Sequence, residues 1–281
     1  MRTDTSRILA ALCALLALSV LSTARAAPKI ETWETSKGAR VLFVAAPGLP
    51  MLDARLVFDA GSARDAERSG LASLTAGMLT QGAGEWDADD IAERVATVGA
   101  QLSTGADRDS AFLSLRTLTR EPAMETALET AAKVLSAPMF DEADFERVRK
   151  NRLVGLRRDQ QDPRTVGSKA IYQKIFGDHP YAADPSGTQE SVSGLKREGL
   201  VEFHRRFYVA RNAVVAIVGD LTQEQAEVLA ERLTEGLESG EVPPKLPPVP
   251  DLAEGVLEEL DFPSSQTHIY AGQPGVQRLD P

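Results

Sequence analysis

Ser73, Ala76 and Gly77 stand at the spacing where a zinc hydrolase would carry its chemistry. The segment Gly70 to Leu79 reads as a helix, because Leu71, Leu74, Met78 and Leu79 fall near one buried stripe. On that helix residues 73 and 77 share a face, with residue 76 beside 77. Histidines at the outer two positions would clasp one metal, and a glutamate at the third would activate its water. The side chains present are a hydroxymethyl, a methyl and a hydrogen. None ligates a metal or moves a proton at neutral pH.

Other candidates are weaker. The three histidines, His179, His204 and His268, are spread over a loop, a helix and the last segment. His204 is expected on the polar side of its helix, beside Arg205 and Arg206. No pair shows ligand spacing, so structural or solvated roles are expected. Ser73 lacks a Gly-x-Ser-x-Gly elbow and a neighbouring His, and reads as a small packing residue, not a nucleophile. Asp89, Asp90 and Glu93 read as a solvated face near a helix start. Gly61, Gly82 and Gly84 are turn residues, since no Lys-Ser/Thr follows them. Gly77 inside a helix costs about 1 kcal/mol relative to alanine. Either a close backbone approach or drift after loss of function must permit it.

These residues need elements to position them. Strands are expected over Ala39 to Ala45 and Leu52 to Ala60, before the pivotal helix. Asp87 caps a predicted helix over Ala88 to Val98, which Gly99 ends. Gln101 to Thr104 and Ala111 to Arg116 alternate as a hairpin. Helices follow over Pro122 to Leu135, Glu142 to about Gln160 behind an Asp141 cap, and Arg164 to Phe176. A long irregular loop opens at Gly177 and closes at Thr188. A helix over Leu195 to Phe207 then leads into Asn212 to Asp220, whose apolar run predicts a strand buried on both faces. Thr222 caps a final helix to about Leu237. Val242 to Pro250 reads as a semi-rigid linker, and Val256 to Asp261 and Thr267 to Ala271 as new strands.

The chain's 281 residues, 43% hydrophobic and 26% charged, suffice for a sizeable core. A formal net charge of -10 without a basic-aromatic stripe argues against a nucleic-acid partner. Residues 1–26 read as a signal peptide: Arg2 and Arg7, an apolar run from Ile8 to Leu21, and Ala24-Arg25-Ala26. That run is short of the about 20 residues a membrane span needs. Cleavage removes Cys13, so no disulfide or thiolate site is expected, and no membrane span. The expected location is periplasmic or secreted.

Gly70-Leu71-Ala72 with Met78-Leu79, and Ala60-Gly61-Ser62 upstream, resembles the zinc-binding segment of the pitrilysin/insulinase family of metallopeptidases, which includes mitochondrial processing peptidases. His179-Pro180-Tyr181 with Gly187-Thr188, and Phe207-Tyr208 to Gly219-Asp220, are similar to further stretches of that family. The resemblance implies that Ser73 and Gly77 replace the two histidines of His-x-x-Glu-His and Ala76 its glutamate. The third ligand, a Glu on a later helix, would fall near Val154 or Gly155. No ligand or base carries over, and no cofactor is expected.

The implied fold is α+β, with a largely antiparallel sheet and helices packed on one face. It divides the chain into an N-terminal repeat over 29–238, a Pro-rich linker over 239–255 and a truncated second repeat from 256 to 281. The implied function is a non-catalytic subunit that completes the peptide-binding chamber of a partner carrying His-x-x-Glu-His, with zinc in the partner only. A structural scaffold on the same fold is the alternative. An active metallopeptidase with ligands at other positions is disfavoured by the missing His pair.

Overall fold

Alternating burial builds the central sheet. Its strands are β1 (Glu31–Glu34), β2 (Arg40–Ala45), β3 (Met51–Phe58), β6 (Gln101–Ala106), β7 (Ala111–Leu118) and β8 (Ala213–Gly219). A small hairpin of β4 (Gly82–Ala83) and β5 (Trp86–Asp87) stands apart. The sheet order is β1-β2-β8-β3-β7-β6, antiparallel throughout except for the parallel pair β2 and β8. The computed structural model describes residues 28–252 and 254–275, so the expected signal segment lies outside it. Glu31 onward forms one unit; of the unit before it only residues 28–30 are described.

One face of the sheet carries the core. Phe43, Ala54, Leu56, Phe58, Leu113, Leu115, Val215 and Ile217 are all buried on it. The helices are α1 (Leu71–Met78), α2 (Ala88–Thr97), α3 (Ala123–Ser136), α4 (Glu142–Asp159), α5 (Pro163–Phe176), α6 (Gln189–Gly194), α7 (Arg197–Phe207) and α8 (Gln223–Thr234). Among them α1 packs on β6 and β7, α3 on β7 and α8 on β2. The other sheet face is open: Asp53, Arg55 and Arg116 are exposed, with Val57, Phe112 and Val214 half-buried between them. Arg116 donates to Asp53 at 2.7 Å, and the Arg55 guanidinium lies 3.9 Å from the Phe112 ring centre.

The expected α+β architecture is therefore present, and its caps hold. Asp87 accepts from the Asp90 amide while the Asp90 carboxylate accepts from the Asp87 amide. Thr222 and Gln225 do the same at the start of α8. Three expectations about the elements fail, and one strand of the central sheet was not foreseen. β8 is buried on one face only, with Val218 43% exposed, because helices cover one side of the sheet. Residues 256–261 and 267–271 form no strand; Leu257 and Ile269 are more than four-fifths exposed, with no strand beside them to pair with. The long loop contains α6, held by a capping box between Thr188 and Ser191. β1 was not expected, its ETWE sequence offering one apolar anchor, Trp33, edge-on to Phe43.

The Pro-rich stretch lies against the body. Arg64 donates to the Pro244 carbonyl at 2.8 Å, and His179 Nε2 is 3.0 Å from the Pro247 carbonyl. Beyond it Tyr270 donates to the Arg164 carbonyl at 2.9 Å on α5. No described helix is long and apolar enough to cross a membrane.

Candidate functional site

α1 begins where Gly70 adopts φ 95°, a left-handed conformation that favours glycine. Asp65, 1% exposed, accepts from the Gly70 and Ala72 amides at 2.8 Å each. Those donors are among the orphan amides of a helix N-terminus. Burial pushes the Asp65 carboxyl up to about 7, against the Ala72, Gly70 and Leu71 amides and Arg68, which favour the carboxylate. Just upstream, a Cβ on Gly61 would stand 2.4 Å from the Arg108 carbonyl oxygen, so only glycine fits. Sequence reading found the Gly61 turn and overlooked Asp65.

The expected stripe is in place: Leu71, Leu74, Met78 and Leu79 are all at most 1% exposed. Ser73 and Gly77 sit together on the half-exposed side, while Ala76 is buried and its carbonyl accepts from Thr104 on β6 at 2.8 Å. α4 packs against α1 and carries Val154 and Gly155, both half-buried. Between these helices lies a residue that sequence reading passed over. Arg152 Nη2 donates to Ser73 Oγ at 2.7 Å, and Nη1 reaches Ser186 Oγ at 3.5 Å. The available signal was a cation two residues before Val154, near where the resemblance implies a carboxylate ligand.

The donor set does not fit zinc. Hydroxyl, methyl, isopropyl and two glycines offer no imidazole, thiolate or carboxylate, and the guanidinium on Ser73 repels a second cation. Among the described residues no three His, Cys, Asp or Glu side chains gather as a metal group. The histidines are held elsewhere. His179 is buried, its Nδ1 accepting from the Tyr181 amide at 3.1 Å. His204 is not on the polar side of α7: its Nε2 lies 2.9 Å from the Leu135 carbonyl and its ring stacks on Tyr208. Leu200, Phe203 and Phe207 are buried, and His204 stands four residues past Leu200, at the margin of that stripe. Desolvation lowers its pKa, opposed by the Leu135 contact.

A Cβ on Gly77 or Gly155 would meet nothing within 4 Å. Close backbone approach therefore does not explain Gly77. Gly77→Ala is expected to stabilise the fold by about 0.5–1 kcal/mol, the helix preference of alanine. Urea denaturation checks this; a loss of stability would mean that something fills the gap.

Comparison with known proteins places these features in context. Residues 40–189 match the profile of Insulinase (Peptidase family M16), and residues 194–281 that of the Peptidase M16 inactive domain. The crystal structure of a peptidase M16 inactive domain from Pseudomonas fluorescens is similar at TM-score 0.78 and 35% identity, covering 79% of this chain and 54% of that one. The non-peptidase homolog YmxG of Helicobacter pylori is 26% identical over 178 residues, 63% of this chain and 41% of its own length. Cytochrome b-c1 complex subunit 1 of Bos taurus is 24% identical over 180 residues, 64% of this chain and 37% of its own. The periplasmic protease PqqL from Escherichia coli shares the fold at TM-score 0.71 and 17% identity, over 82% of this chain and 26% of that one. The chain spans about half or less of the length of these relatives.

Proposed function

From the premise that the chain belongs to the insulinase family, peptidase M16, we propose that it is a non-catalytic subunit completing the peptide-binding chamber of a catalytic partner. The partner would carry His-x-x-Glu-His and the zinc. The observation that carries this reading is a juxtaposition. β6 is an edge strand of the sheet, and it lies directly against α1, where the reactive groups are missing. The edge sequence QLSTGA has no proline or charge to block pairing. An extended peptide can add there by main-chain hydrogen bonds and be held near the partner's metal. Likeness to an inactive domain and to a non-peptidase homolog supports the non-catalytic part. Export to the periplasm is part of the proposal and is supported by the signal-like 1–26.

The purified chain is expected to hold no stoichiometric zinc by elemental analysis and to cleave no peptide, with or without chelator. Zinc at one per chain overturns the reading. A scaffold role without peptide substrate is the second reading, favoured by the likeness to a subunit of the cytochrome b-c1 complex. Peptide binding measured with and without a catalytic partner separates the two.

A further inference from the structure

Arg152 is half-buried, and its hydrogen-bond partners among the described residues are both neutral, the hydroxyls of Ser73 and Ser186. Among the described residues no carboxylate lies within ion-pair distance of it, whereas Arg64, Arg94, Arg116, Arg147, Arg149 and Arg232 each have one. Asp184, two residues from Ser186, is already engaged: Lys169 stands 3.6 Å from it, and the Ser186 amide donates to it at 2.7 Å. A partly desolvated charge without a counterion is unfavourable, and a guanidinium fork matches a carboxylate in bidentate fashion. Small residues flank the pair on both helices: a Cβ on Gly77, four residues past Ser73, or on Gly155, three past Arg152, would meet nothing within 4 Å. The surrounding potential is favourable too: from Arg147 to Arg158, α4 carries six basic residues and no acidic one, in a chain of net charge -10.

We infer that Arg152, with Ser73 and the gap beside Gly77 and Gly155, is a binding site for a peptide carboxylate. A guanidinium thus stands where the fold's metal ligands are missing and serves as an anion receptor. The inference rests on the peptide-chamber reading and goes beyond it by naming the group recognised. The carboxylate comes either from the peptide's C-terminus or from an acidic side chain.

Two measurements on the full chain test it. In protein labelled with ¹⁵N-arginine, N-acetylglycine should move the Arg152 Nε resonance saturably, and N-acetylglycinamide should not. Arg152→Lys, which keeps the charge and loses the fork, identifies that resonance; Lys150→Gln, a charge loss elsewhere on α4, should leave the shift intact. Fluorescence anisotropy then compares an extended peptide as free acid, as C-terminal amide, and with its internal Glu changed to Gln. Losing the carboxylate should weaken binding about tenfold or more in the wild type and not in Arg152→Gln. Loss on amidation assigns the terminus; loss on the Gln change assigns the side chain. A silent Arg152 resonance, or a tenfold preference surviving in Arg152→Gln, overturns the inference. Peptides bound with no carboxylate preference sink the site and leave the chamber reading standing. N-acetylglycine bound and all peptides ignored does the reverse.

Discussion

Phe58→Ala is expected to cost about 3–5 kcal/mol of folding stability, the range for emptying a fully packed aromatic site. Phe58 is completely buried at the end of β3 and lies against the Tyr208 ring with centres 4.9 Å apart. Its cross-strand neighbours are Ala111 on β7 and Ala213 on β8. Both are methyl groups on sheet backbone, too short to move into the vacated volume, so the cavity persists. The Tyr208 hydroxyl is buried without a hydrogen-bond partner among the described residues. Val218→Ala on the open sheet face should cost less than about 1 kcal/mol. Urea midpoints at unchanged m-value compare the pair. Equal losses would mean that the open face is covered after all.

Asp65→Ala is the second large effect, at about 2–6 kcal/mol. It strands the Gly70 and Ala72 amides, and each buried donor left unmade costs roughly 1–3 kcal/mol. The same residue gives a pH signature. Its folded pKa of about 7 lies above the ordinary 3.8, so the folded state holds a proton that the unfolded chain releases. The stability from this group is fully present below the unfolded value and is lost as pH rises through the folded one. Each unit of displacement is worth about 1.4 kcal/mol. Wild-type stability should therefore fall between about pH 4 and pH 7. Asp65→Asn, which keeps an acceptor and does not titrate, should flatten that fall. Denaturation midpoints across this range decide it, and parallel curves for the two proteins would contradict the assignment.

How much was legible in the sequence follows from what kind of force set each feature. Periodic burial gave α1 through the Leu71, Leu74, Met78 stripe, and capping chemistry gave α2 and α8 through Asp87 and Thr222. The small residue types at 73, 76 and 77 were legible, and the helix that carries them is in place. What depends on a distant partner was not legible. Arg152 and Ser73 are far apart in sequence and meet only through the packing of α4 on α1. β8 reads as doubly buried because an apolar run records hydrophobicity, not the number of layers around it. Residues 256–261 and 267–271 read as new strands, yet a strand exists only where a neighbour supplies hydrogen bonds. His204 reads as solvated because Arg205 and Arg206 adjoin it, yet its place at i+4 from Leu200 puts it at the margin of the buried stripe.

The order of strands has a consequence for how the molecule is made. β8 is inserted between β2 and β3, yet it leaves the ribosome after the other five described strands of this sheet. Until it arrives, the β1–β2 hairpin and the β3–β7–β6 meander share no main-chain hydrogen bonds. The nascent polypeptide thus cannot lock into its final shape early, and closure waits on pairings of high contact order, which form slowly. A chain kept from premature closure in this way stays open until its central strand completes the sheet.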